Sequence, residues 1–178
     1  MHVSPYTLMH VDVDLYADIG PVDLDHGQAR MAGGTGEPQA VGGGGVGVDL
    51  DASMLDVARK QAPELPWFQV DLVEFAPAPL GVAGGFDLVV AAGNIFPLLA
   101  PGTETGVVQR LSAALSPGGL LVAGFGLDEA HLPVPPSSTL PDCDDCCAAA
   151  GLTLVDRFAT WDADPYEGGG YAVSVHRR

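Results

Sequence analysis

Positive charge is what this chain has least of. Seven Lys and Arg stand against 23 Asp and Glu in 178 residues, a formal net charge of −16. Proteins that bind nucleic acids draw affinity from Lys and Arg that neutralise phosphates. Here the only basic cluster is His176-Arg177-Arg178. A large polyanionic partner and an anionic membrane surface are therefore excluded as expectations. Long apolar runs are missing too: none approaches the ~20 residues of a membrane span. The start, Met1-His-Val-Ser-Pro-Tyr6, has no basic region followed by an apolar block, so no secretory signal is read. A soluble cytoplasmic protein is the expectation. Cysteine is scarce and clustered at Cys143, Cys146 and Cys147. The odd number argues against a disulfide framework. No second Cys or His pair completes the four ligands of a structural zinc site, so a reduced helix face is expected and no metal.

What is abundant is glycine and proline, 24 and 15 residues, which implies many turns. One domain is the simplest reading of this length: an N-terminal segment over 1–28, serving as a lid or a half-exposed strand around Val11–Tyr16, and an α/β domain over 29–178. Arg30-Met-Ala-Gly33 reads as a short strand leading into a glycine loop. Val46–Leu50 is a clearer strand. A helix follows, with Ser53 as cap, Asp56 three residues on, and Met54, Val57, Ala58 and Gln61/Ala62 on one face. Pro63 ends it. Trp67–Leu72 is the next strand. Phe86-Asp-Leu-Val-Val-Ala-Ala92 reads as a parallel strand covered on both faces. Residues 103–116 form a helix broken by Pro117-Gly-Gly. Leu120–Phe125 is a strand, 139–150 a helix, and Leu152–Val155 and Tyr171–Val175 are the last strands. A parallel return needs a crossover of a dozen or more residues, usually helical. Residues 159–170 show no helical pattern, so the last two strands are expected to be antiparallel neighbours. The expected fold is a doubly wound, Rossmann-like, mostly parallel sheet with a C-terminal antiparallel hairpin.

Two features point to a nucleoside-containing cofactor. Gly33-Gly34-Thr35-Gly36 is a loop that lets a ligand approach the backbone closely. Val46-Gly-Val-Asp49 is a strand that ends on a carboxylate, and an acid at that place commonly holds the two hydroxyls of a ribose.

Together, Ala32-Gly-Gly-Thr-Gly36, Gly47-Val-Asp-Leu-Asp51 with Met54-Leu55, Val70-Asp71, Phe86-Asp-Leu-Val-Val90 and Leu115-Ser-Pro-Gly-Gly-Leu-Leu-Val122 resemble the class I S-adenosylmethionine-dependent methyltransferases. The resemblance covers roughly residues 30–178. It implies that the backbone of Gly33, Gly34, Thr35 and Gly36 passes under the methionine part of S-adenosylmethionine. It implies that Asp49 accepts from both ribose hydroxyls and that Leu50 flanks the adenine. Asp71 would receive the adenine amino group, and Leu72 would make a backbone contact. Ala92, Gly93 and Asn94 would line the methionine and acceptor side. The implied activity is methyl transfer to a small-molecule acceptor.

The chain departs from that family in two places. Arg30 stands where the family usually has an acid, and Ala32 where it has a glycine. Residues 37–45 fall below the ~10–12 residues of a βαβ crossover, and each of four glycines there costs about 1 kcal/mol relative to Ala in a helix. A shortened or missing first crossover helix, and with it a weakened cofactor site, is therefore expected. A catalytically impaired binding module is one alternative function. An NAD-binding oxidoreductase is another, less favoured because Gly-x-Gly-x-x-Gly is absent. Methyl transfer from a sulfonium needs mainly positioning and desolvation, with a general base only where the acceptor starts protonated. The candidates for that base are His131 and Asp128, in Gly126-Leu-Asp-Glu-Ala-His131. Trp161 and Tyr166 are candidates to stack on the acceptor.

Overall fold

The computed structural model describes residues 7–10, 22–23 and 30–31 as backbone, and residues 45–80, 84–132, 135 and 138–178. The elements are β1 (Thr7–His10), β2 (Val22–Asp23), β3 (Arg30–Met31), β4 (Gly45–Asp49), α1 (Ala52–Gln61), β5 (Trp67–Gln69), β6 (Phe86–Ala91), α2 (Ile95–Leu98), α3 (Glu104–Ala114), β7 (Leu115–Gly126), α4 (Leu140–Ala149), β8 (Thr153–Phe158) and β9 (Tyr171–Arg177). Seven of the strands form one sheet in the order β5-β4-β1-β6-β7-β9-β8. The pairs from β5 to β7 are parallel. β9 is antiparallel to both β7 and β8, with Val122 opposite Val175 and Phe158 opposite Val173. The expected hairpin of the last two strands is present. β9 also inserts between β8 and the parallel sheet.

The N-terminal part differs from expectation. Arg30–Met31 does not lead into the main sheet beside β4; it pairs antiparallel with Val22–Asp23 in a separate two-stranded ribbon. The place between β4 and β6 is taken by Thr7–His10, parallel to both. A strand from the segment 1–28 thus contributes to the sheet of 29–178, and the connection from it to β4 runs through residues 11–44. The glycine loop and the shortened crossover both fall in 32–44, outside the described residues. So does the expected strand at Val11–Tyr16.

Helix α1 also corrects the sequence reading. Its cap is Asp51, not Ser53: the Asp51 carboxylate accepts from the Ser53 backbone N–H and hydroxyl, both at 2.7 Å. Ser53 lies inside the helix, where it donates and does not cap. The buried face is Leu55 and Ala58, continued by Ala62, whereas Val57 is exposed. Leu55, Ala58 and Ala62 hold the i, i+3, i+7 spacing of one face, one residue out of step with Met54. Arg59 and Lys60 occupy the last turn, complementing the helix dipole. Helix α3 ends before Pro117, because Leu115 already belongs to β7. Helix α4 begins with a capping box between Thr139 and Asp142.

The core lies on both sheet faces. On one, Val89, Leu121, Ala123, Phe125 and Ala172 pack against Val107, Val108 and Leu111 of α3 and Cys143 and Cys147 of α4. On the other, Leu88 and Val90 of β6, Leu120 and Val122 of β7, and Val173 and Val175 of β9 form a second cluster, with Trp161 and Tyr171 at its margin. On α4, Cys143 and Cys147 are buried thiols and Cys146 is half-buried. A hydrogen bond with Cys147 and burial push the Cys143 thiol far up. Beside them, Asp144 of α4 accepts from Arg157 at 2.6 Å and bonds His176 Nε2 at 3.2 Å. Arg157 also donates to Ser174. No helix among the described residues is long and apolar enough to cross a membrane.

Candidate functional site

The parallel strands end on one edge, where an open α/β sheet binds its ligands. At the end of β4, Asp49 is buried, 8% exposed. One carboxylate oxygen accepts the Asp51 backbone N–H at 2.7 Å. Next to it Leu50 is 60% exposed, an apolar side chain left in water. Gln69 donates to the Leu50 carbonyl at 2.9 Å and Val70 N–H to the Asp49 carbonyl at 2.9 Å, so β5 fixes this turn. Beyond β5, the Asp71 carboxylate accepts from Val73 N–H at 2.9 Å and is exposed. Leu72 turns into the core with Phe75.

At the end of β6, Ala92 is buried and the chain reverses through Gly93 and Asn94, both at positive φ. Asn94 does not cap α2 with its side chain. Its Oδ1 accepts the Gly126 N–H at 2.7 Å, and its Nδ2 donates to the His131 carbonyl at 3.2 Å. The amide therefore joins the loop after β6 to the loop after β7.

In that second loop Asp128 and His131 form a pair, carboxylate Oδ1 to ring Nδ1 at 2.6 Å, both about half exposed. The His131 hydrogen bond holds the Asp128 carboxyl below its usual range. An ionised carboxylate only accepts, so Nδ1 carries the proton. In the neutral form of the ring the lone pair is then on Nε2, as a general base requires. The Tyr171 ring lies 6.2 Å from the His131 ring, centre to centre. Trp161 Nε1 donates to the Tyr171 hydroxyl at 2.9 Å.

Of the residues expected from sequence, Asp49 closes β4, and Leu50, Asp71, Leu72, Ala92, Gly93, Asn94, Asp128 and His131 follow the carboxyl ends of parallel strands. Asn94, Asp128 and His131 are brought together. Gly33, Gly34, Thr35 and Gly36 lie outside the described residues. Trp161 and Tyr166 pack against different core clusters. Sequence reasoning missed Tyr171 and Gly170. Gly170 accepts the Leu127 N–H at 2.7 Å and so ties the loop before β9 to the Asp128 loop. The signal available for it was the run Gly168-Gly-Gly170 directly before a strand.

No family model matches this chain. Among curated proteins, the trans-aconitate 2-methyltransferase of Paracidovorax citrulli is 39% identical over 75 residues, 42% of this chain. That match spans only about a quarter of the relative, 26%. Among solved structures, a TehB-like SAM-dependent methyltransferase from Corynebacterium glutamicum has a TM-score of 0.64 at 28% identity, over 76% of this chain and 68% of that one. The CcbJ methyltransferase from Streptomyces caelestis has a TM-score of 0.69 at 16% identity, over 99% of this chain and 89% of that one. The resemblance read from the sequence holds: the fold is that of the class I methyltransferases.

Proposed function

We propose that this chain, built on the class I methyltransferase fold, catalyses methyl transfer from S-adenosylmethionine to a small-molecule acceptor. The observation that carries the reading is the shared edge. Buried Asp49 with exposed Leu50 stands at one end of it, and the Asp128–His131 pair at the other.

The residues fit the cofactor by their chemistry. A carboxylate held in place by a backbone N–H suits a diol that donates two hydrogen bonds. An exposed leucine beside it suits the face of an adenine. Asp49 and Leu50 would hold the nucleoside, with Asp71 toward the adenine amino group and Ala92, Gly93 and Gly33–Gly36 toward the methionine part. The bound cofactor supplies an activated methyl group on a sulfonium. His131 Nε2 takes the proton of an acceptor N–H or O–H, and Asp128 stabilises the imidazolium that results. Trans-aconitate, the acceptor named for the bacterial relative, is rich in carboxylates. A like acceptor would need cations, and none of the described Lys or Arg side chains follows the carboxyl end of a parallel strand. A neutral or amine-bearing acceptor fits this edge better.

Calorimetric titration with S-adenosylhomocysteine tests the reading, with NAD as control. Binding of the former alone is expected. Asp49→Asn removes a charge-assisted hydrogen bond, about 1.5–3 kcal/mol, so its Kd should rise on the order of 10- to 100-fold. Binding of neither ligand would overturn the proposal and turn attention to a non-catalytic binding role.

A further inference from the structure

We propose that Asn94 and Gly170 are positioning residues that set the geometry of the Asp128–His131 pair from two sides. This inference rests on the reading of that pair as the proton acceptor.

The pair sits on a short exposed loop, where side chains ordinarily sample several rotamers. Three contacts from outside the loop restrain it. Asn94 grips both ends of the loop, at the Gly126 N–H and the His131 carbonyl. It does so from the left-handed conformation, φ 64° and ψ 28°, which asparagine tolerates better than most residues. Gly170 closes the opposite side. Its carbonyl accepts the Leu127 N–H. A Cβ added at Gly170 would overlap Asp128 Oδ2 and stand 2.6 Å from His131 Nδ1. The bare Cα of Gly170 is thus packed onto both side chains of the pair, and any larger residue pushes them away.

The two residues act differently, which makes them separable. At Gly170 the atoms in the way are side-chain tips and not backbone, so Gly170→Ala displaces the pair and leaves the sheet alone. At Asn94, glycine keeps the positive φ without strain, so Asn94→Gly removes only the amide.

The test is the NMR signature of the His131 ring nitrogens, together with the titration of the Asp128 carboxyl carbon. Neither needs a substrate. Wild type should show one tautomer, with the proton on Nδ1, and an Asp128 carboxyl that titrates below the usual range. Gly170→Ala and Asn94→Gly should each give a mixture of tautomers and an upward move of the Asp128 titration. Asp128→Asn supplies the spectrum of an uncoupled ring. Backbone amide shifts away from the loop report that each variant is folded, and either variant decides the matter if the other is not. Folded variants with the wild-type His131 signature would overturn the proposal. Where the signature moves but no acceptor is ever methylated, the positioning role stands and the functional reading falls. With turnover in hand, both variants should lower kcat, and Gly170→Ala should leave the KM for the methyl donor within about twofold.

Discussion

At the scale of single residues, the site depends on how tightly neighbours close around a few small or polar groups. Asn94 was read from the sequence as lining the cofactor side, and the structure adds two hydrogen bonds from its amide to the next loop. Its place after β6 was legible; its two bonds to the next loop were not, because Gly126 and His131 lie 32 and 37 residues further along. Asp128 and His131 were legible because they are three residues apart. For that pair, His131→Ala should lower kcat about 10²- to 10³-fold, within the range of general bases, and leave binding of S-adenosylhomocysteine unchanged; steady-state rates and calorimetry check both halves. Gly47 carries a second lesson. It sits inside a buried strand, where glycine is normally a weakness. A Cβ there would overlap the Trp67 ring, whose Nε1 donates to the Ala62 carbonyl at 2.9 Å. Gly47→Ala should therefore cost about 1–3 kcal/mol by overpacking. Urea unfolding followed by tryptophan fluorescence measures the cost.

At the scale of elements, hydrophobic runs made β6, β7 and β9 readable, and the helical period made α3 and α4 readable. Thr7–His10 escaped because four residues, polar at both ends, carry no periodicity; its place comes from the pairing that β4 and β6 offer. The Asp144–Arg157–His176 contact escaped for a related reason, since it joins α4, β8 and β9. His176 is 1% exposed, and among the described residues its Nδ1 has no hydrogen-bond partner. Burial pushes its pKa below the ordinary value, and Asp144, which faces it, opposes that shift without cancelling it. The sign follows from proton counting. Between the lowered folded value and about 6.5 in the unfolded chain, the unfolded state binds the extra proton, so stability rises with pH there. The Tm should be highest above pH ~6.5 and fall as the pH drops toward 5. His176→Gln keeps a donor toward Asp144 and should flatten this part of the profile. A pH series of thermal melts decides it.

At the scale of the whole molecule, the described Lys and Arg side chains lie away from the carboxyl ends of the parallel strands. Arg59 and Lys60 close α1 at the far end from the site, and Arg178 donates to the carbonyls of Ala113 and Leu115 where β7 begins. Arg157 is spent on Asp144. Asp49 closes β4, and Asp51, Asp71, Asp128 and Glu129 follow the carboxyl ends of parallel strands. Such a field favours a cationic or neutral ligand at that edge. Among acceptors of equal size, an amine should outdo its carboxylate counterpart in kcat/KM by about tenfold or more, and added salt should narrow the gap by screening; competition assays at two ionic strengths measure both. The order of strands has a kinetic side as well. β7 and β8 do not pair with each other; each pairs with β9, which follows both in the chain. β1 likewise waits for β4 and β6. Pairings so distant in sequence raise the contact order and slow folding. During synthesis, β7 and β8 leave the ribosome with open edges, and the sheet closes only when β9 threads the gap between them.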